Sequence, residues 1–134
     1  MCLEAEAMCV SILAVRTWLY DPARDDRPPL AEPGDVEGRR AVLLATGGDA
    51  APAGAWMAVD DYDGDEATLL FGAPPGDKYR SYVSALLAVA IEEAQRLGFR
   101  SLLAHWRGGW SSATDALTEA GFAEDAPGIW RLRL

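Results

Sequence analysis

Between Glu66 and Trp106 the apolar pattern changes period twice, and that change limits the folds open to the chain. EATLLFG (66–72) is a short apolar, strand-like run. After PPGDKYRS, residues Val83, Leu86, Leu87, Ala90, Ile91, Ala94 and Leu97 recur at three and four. That spacing lines one face of a helix of about 20 residues. Asp77 is the expected N-cap and Gly98 the expected C′ residue. FRSLLAHW (99–106) then returns to a strand. A strand–helix–strand unit lays its two strands parallel through a right-handed crossover. Where such strands part, beside the helix N-terminus, a cleft opens. The turn Gly76-Asp77-Lys78-Tyr79-Arg80 falls at that point.

The flanking sequence supplies the rest of a sheet. CVSILAVRTWLY (9–20) reads as a first strand, AVLLATGG (41–48) as a second and AWMAV (55–59) as a third. Residues 21–40 hold Pro22, Pro28, Pro29 and Pro33, a density that permits a loop or at most a single turn. Asp63-Gly64 marks a tight hairpin that makes the third and fourth strands antiparallel. Ser112-Ala113-Thr114-Asp115 resembles a capping box and opens a short helix ending at Ala120-Gly121. In FAEDAPGIWRLRL, Trp130, Leu132 and Leu134 face one way and Arg131 and Arg133 the other. The expected fold is α+β: a mixed, mostly antiparallel sheet of about six to seven strands, one long central helix and one short C-terminal helix. Residues 1–134 form one domain on this reading, with 1–8 set aside as a candidate disordered start.

The formal net charge of −9 excludes a nucleic-acid binder, which needs a basic face for backbone phosphates. It leaves room for a small anionic ligand, because a few local cations outweigh a distant acidic surface. Cys2 and Cys9 would close only a tiny loop, and with His105 the sole histidine no zinc spacing exists. Glu4 and Glu6 stand where a signal peptide carries positive charge, and the first apolar run is too short to span a bilayer. A cytoplasmic protein with no membrane partner is expected. Asp61, Asp63 and Asp65 suggest a calcium loop only superficially, since Gly64 comes fourth rather than sixth and position 72 is glycine. No metal is expected, and the run reads as a solvated turn.

The order of elements and the text around them resemble the GNAT superfamily of acyl-CoA-dependent N-acyltransferases over about residues 41–134. TLLFGAPPGDKYRSYVSALL, FRSLLAHW and ALTEAGF stand where that family has its fourth strand, pyrophosphate loop and long helix, its fifth strand, and a short helix ending in Gly-Phe. The family's loop has the pattern (Arg/Gln)-x-x-Gly-x-(Gly/Ala). Tyr79 matches the Arg/Gln position, Tyr82 the first glycine and Ser84 the second. Gly76, Lys78 and Arg80 supply an open turn and positive charge nearby. The resemblance therefore implies acetyl-CoA or another acyl-CoA held by Gly76, Lys78, Tyr79, Arg80, Tyr82 and Ser84. The family's proton-donating tyrosine falls at about Leu117, and its asparagine near Trp110. The two acceptor helices that the family places between its first two strands are replaced by the Pro-rich residues 21–40.

His105, the sole histidine, sits near the end of the fifth strand, where it is a candidate general base or a histidine bonded at a strand end. Glu66 opens the fourth strand, where the family often keeps a base. Tyr79 and Tyr82 either flank a bound adenine or acyl arm or pack against the core. Trp106 and Trp110, either side of Gly108-Gly109, line a pocket or pack at its rim. The expected function is acyl transfer, usually acetyl, to a small-molecule or peptide amine by direct attack with general-base help. The alternative is an inactive GNAT-like binding or regulatory module acting through a protein partner. Either the acceptor side is wide open, or a homodimer or partner chain completes it.

Overall fold

The helix stripe read from the sequence is the element that organises the structure. In a computed structural model that describes residues 15–26, 38–46, 54–72, 80–105 and 111–134, with backbone alone for 111–113, α1 (Arg80–Arg96) buries Val83, Leu86, Leu87, Ala90 and Ala94. They meet Leu43, Met57, Val59, Leu69 and Leu102 on one face of the sheet. α2 (Ser111–Glu119) adds Ala116 and Leu117 to the same core.

The strands are β1 (Arg16–Leu19), β2 (Ala41–Thr46), β3 (Ala55–Asp63), β4 (Glu66–Gly72), β5 (Ser101–His105), β6 (Ala123–Ala126) and β7 (Ile129–Arg133). They form one sheet in the order β1-β2-β3-β4-β5-β7-β6. Only β4 and β5 run parallel; the other neighbours are antiparallel. A helix between β4 and β5 requires this, because antiparallel neighbours need no crossover. On the face away from the helices, Val42, Leu44, Trp56 and Ala58 make a smaller cluster with Trp18, Tyr20 and Leu70 against it. Trp130, Leu132 and Leu134 reach the helix-side core, as the alternation in the closing strand predicts.

Both helices end by the same device. Phe99 N–H donates to the Ala94 carbonyl and Gly98 N–H to that of Gln95, each at 3.0 Å, with Gly98 at φ 90°. Phe122 donates to Leu117 and Gly121 to Thr118 with the same lengths, and Gly121 has φ 102°. These are Schellman motifs, in which a left-handed residue at C′ satisfies the last carbonyls. Phe99 and Phe122 are both buried, so each stop also directs the chain back into the sheet.

The third strand is longer than its sequence suggests. Asp60–Asp63 continue β3, and the hairpin loop is Gly64-Asp65, with Gly64 at φ 58°. The register passes from Asp61↔Ala67 to Asp63↔Glu66, which leaves Tyr62 as an inserted residue at a β-bulge. The first strand is described only from Arg16, so its expected start at residues 9–14 lies outside the described residues, as do 27–37 of the Pro-rich loop. The described part of that loop makes one turn, where Arg24 and Asp25 N–H donate to the Asp21 carbonyl.

Leu86 is fully buried at the centre of the helix–sheet contact. Leu86→Ala is expected to lower stability by about 2–5 kcal/mol, read from urea unfolding, because the rigid sheet beneath cannot collapse into the cavity. A loss well under 1 kcal/mol would mean that α1 does not pack as described.

Candidate functional site

The parallel pairing of β4 with β5 stops before β4 does. Its register runs from Glu66↔Ser101 to Leu69↔Ala104, while β4 continues through Leu70 and Phe71 to Gly72 and stays paired with β3 as far as Trp56. β5 meanwhile stays paired with β7 through His105↔Ile129. Among the described residues the parallel pairing ends at Leu69↔Ala104, and α1 forms the crossover that joins the two strands. Its leading amides have no partner within the helix, which makes this end receptive to an anion.

At the tip of β4 two residues are fitted to each other. A Cβ on Gly72 would stand 2.4 Å from Nε1 of Trp56 and 2.8 Å from its Cε2, so only glycine lets the indole lie across the strand. That Nε1–H is buried and has no hydrogen-bond partner among the described residues. Such a donor costs on the order of 1–3 kcal/mol, and tight packing of the indole against β4 offsets it. A second such pair lies on the helix side. A Cβ on Gly54 would meet Cε2 of Tyr82 at 2.6 Å, so the tyrosine ring rests against the corner before β3. Tyr82 is thus turned toward β2 and β3 and packs on the core, away from the β5 side of the gap.

Arg80 opens α1 and pairs with Glu119 at the end of α2, tying the two helices together. Ser84 is half-buried within α1. Gly76, Lys78 and Tyr79 lie outside the described residues, as do Trp106 and Trp110. Leu117 is fully buried in the core.

His105 is exposed at the end of β5, next to the gap. Its ring lies 6.2 Å from that of Tyr62, tilted by 55°. Tyr62 belongs to β3, two strands away, and the bulge aims it along the sheet face toward the histidine. Sequence reasoning missed Tyr62 because Asp-Asp-Tyr-Asp reads as a turn; bulges carry no fixed letter pattern.

Glu66 lies at the other end of the same strand pair, four pairings from His105, or roughly 13 Å along the sheet. Ser101 Oγ donates to its Oε2 at 2.8 Å and Arg131 Nε donates to the same oxygen at 2.8 Å. Arg131 also pairs with Asp125. The Arg131 hydrogen bond is the main reason that the Glu66 carboxyl is held below its ordinary value of 4.5, against the opposing effect of burial. A base works best with a pKa near the operating pH, so these bonds make Glu66 a weaker proton acceptor. The structure does not bring Glu66 and His105 together. Among the described residues no group of three or more His, Cys, Asp or Glu side chains could hold a metal, and no helix is long and apolar enough to cross a membrane.

A splayed parallel pair inside an otherwise antiparallel sheet, entered by a long helix and closed by a short helix and a hairpin, is the GNAT fold, and this chain has it. No protein-family model matches the sequence, and no curated protein does. Solved structures match strongly. The yncA protein of Salmonella typhimurium, whose structure carries acetyl-CoA, matches with a TM-score of 0.60 at 16% identity over 70% of this chain and 64% of its own. This chain thus spans less than two-thirds of that protein. A protein assigned as a phosphinothricin N-acetyltransferase matches at 0.66 and 18% identity, over 90% of this chain and 98% of its own. The ribosomal-protein-S18-alanine N-acetyltransferase of Escherichia coli matches at 0.55 and 21% identity, over 69% and 67%.

Two outcomes follow from the geometry. Gly72→Ala drives a Cβ into a buried indole and is expected to destabilise the protein by about 1–3 kcal/mol in urea unfolding. Glu66→Gln is expected to be less stable than wild type at neutral pH. A carboxyl with a depressed folded-state pKa contributes its full stability above the ordinary value of 4.5 and loses it as pH falls through the depressed one. The gap between wild type and Glu66→Gln should therefore close below about pH 4.5 when urea midpoints are followed downward. A gap that widens with acid would contradict the assigned bonds.

Proposed function

We propose that the chain is a small acyl-CoA-dependent N-acyltransferase, with acetyl as the expected acyl group and a small-molecule or peptide amine as acceptor. The observation that carries this reading is the parting of β4 from β5 after Leu69↔Ala104, next to the N-terminus of α1. The space is suited to the extended arm of an acyl thioester, with helix amides at the end for the pyrophosphate. The likeness of the fold to a structure that carries acetyl-CoA supports the same placement. Tyr82, resting on Gly54, leaves the approach from the β5 side clear. Arg80 spends part of its guanidinium on Glu119, and a fork of five N–H donors can serve a phosphate as well.

In the reaction the acceptor nitrogen attacks the thioester carbon, the carbon–sulfur bond breaks, and the acyl group passes to nitrogen. His105, exposed beside the gap, accepts the proton that the amine gives up, directly or through a water. Water returns a proton to the departing thiolate, since Leu117 has none to donate and is packed in the core. The last point also favours the second reading, a GNAT-like binding or regulatory module that binds a partner without transfer. Turnover separates the two.

Millimolar acetyl-CoA is expected to raise the melting temperature by several degrees, corresponding to about 2.7 kcal/mol at a hundredfold excess over Kd. Arg80→Ala should reduce that shift, whereas Glu119→Gln, which removes the carboxylate that pairs with Arg80, should keep or increase it. No shift in the wild type would sink both the acyl-CoA site and the enzyme. With a shift present, His105→Ala should slow transfer by about 100-fold or more. A shift without transfer to any amine acceptor would select the binding module.

A further inference from the structure

At the end of the sheet away from the β4–β5 gap, a cavity of about 490 Å³ opens between β1, the start of β2 and the last turns of α1. Its apolar wall is Leu19, Tyr20 and Val42, and its charged wall carries Arg39, Arg40 and Arg96 against the single carboxylate of Glu93. Arg39, Arg40 and Arg96 pair in turn with Asp60, Asp61 and Glu93, so what the hollow offers an anion is directed N–H donors rather than net charge. A cleft of this size matches a small-molecule site rather than a void in packing.

Arg40 and Arg96 are anchored without being used up. Arg40 donates to both oxygens of Asp61, at 3.1 and 3.3 Å, and both bonds leave from Nη1. Its Nε and Nη2 donors have no acceptor among the described residues. Arg96 donates to Glu93 from Nε and Nη2 at 2.8 Å each, which leaves its Nη1. The Arg40–Asp61 pair is 43% and 59% exposed, so its hold is weak and an incoming anion can share the guanidinium. The guanidinium of Arg40 is steadied by its position over the Phe99 ring, with Cζ 5.6 Å from the centroid.

We infer that this cavity is a second ligand site, for a small organic anion that carries a carboxylate or a phosphate monoester on an apolar body. The anionic group meets the remaining donors of Arg40 and Arg96, and the body lies on Leu19, Tyr20 and Val42. The site is separate from the proposed acyl-CoA cleft: α1 runs from one to the other, about 25 Å for its 17 residues. It therefore does not rest on the acyltransferase reading.

Phenylacetate and phenyl phosphate, with phenethyl alcohol as the uncharged counterpart, are suitable probes in ligand-observed NMR on the full chain. At least one anion should bind below about 10 mM and the alcohol at least about tenfold more weakly. The better anion identifies the headgroup. Arg40→Ala/Arg96→Ala should weaken binding about tenfold or more. Leu19→Trp, which enlarges an exposed wall residue without changing charge, should weaken it too. Circular dichroism checks that both variants are folded. Excess acetyl-CoA should leave the bound probe in place. The proposal is overturned if neither anion binds, if the alcohol binds equally well, if the double variant keeps its affinity, or if acetyl-CoA displaces the probe.

Discussion

The one parallel contact in the sheet, between β4 and β5, is fastened at one end and free at the other. At the fastened end Arg100 N–H donates to the Asp65 carbonyl and Leu134 N–H to that of Arg100, both at 2.8 Å, extending the ladder past Glu66 and Ser101. Glu66 then joins Ser101 of β5 and Arg131 of β7 through its side chain. At the other end β4 stays paired with β3 and β5 with β7, while among the described residues their own pairing ends at Leu69↔Ala104. The buried face of α1 decides that the gap survives. A helix locked over β2 and β3 by Val83, Leu86 and Leu87 sets its first turn beside the gap rather than across it.

Most of this frame is legible in the letters because it rests on local rules. The three-and-four spacing from Val83 to Leu97 and the glycines at 98 and 121 specify two helices and their stops, and the structure ends both with the same pair of hydrogen bonds. The alternation of Trp130, Leu132 and Leu134 gives the buried face of β7. What escapes sequence reading depends on long-range fit. Tyr82 invites concern as a bulky residue at a glycine position, yet its ring is accommodated by a glycine 28 positions earlier, Gly54. Trp56 and Gly72 are matched in the same way across β3 and β4. Nothing local in either stretch announces the partner. The bulge at Tyr62 escapes for a further reason: acidic residues favour turns as monomers of sequence, whereas here Arg39 and Arg40 pair with Asp60 and Asp61 and hold them in a strand.

Those same two pairs join the ends of the molecule in one charge pattern. Of the basic side chains, Arg39, Arg40 and Arg96 gather at the far end of α1, while Arg80 sits at its start. Each has an acidic partner on a different element or one turn away. In an acidic chain this arrangement is expected, since unpaired cations would be drawn to the excess of carboxylates and would pull loops out of place. Pairing fixes where the guanidinium groups stand, and the geometry of the fork leaves donors of Arg40 and Arg96 over for a ligand.

Leu117 limits the chemistry more firmly than any exposed residue does. It closes the hydrogen-bonded stop of α2 and is fully buried against α1 and the sheet, so its side chain belongs to the core. Replacing it by tyrosine would add volume to a packed interior and place a hydroxyl where no water reaches. An acid from this position of α2 is therefore closed to the fold by packing. This is consistent with the proposal that water returns the proton to the leaving thiolate. The gap at the end of β4 is suited to that, because the edge where the strands part is also where His105 stands exposed to water.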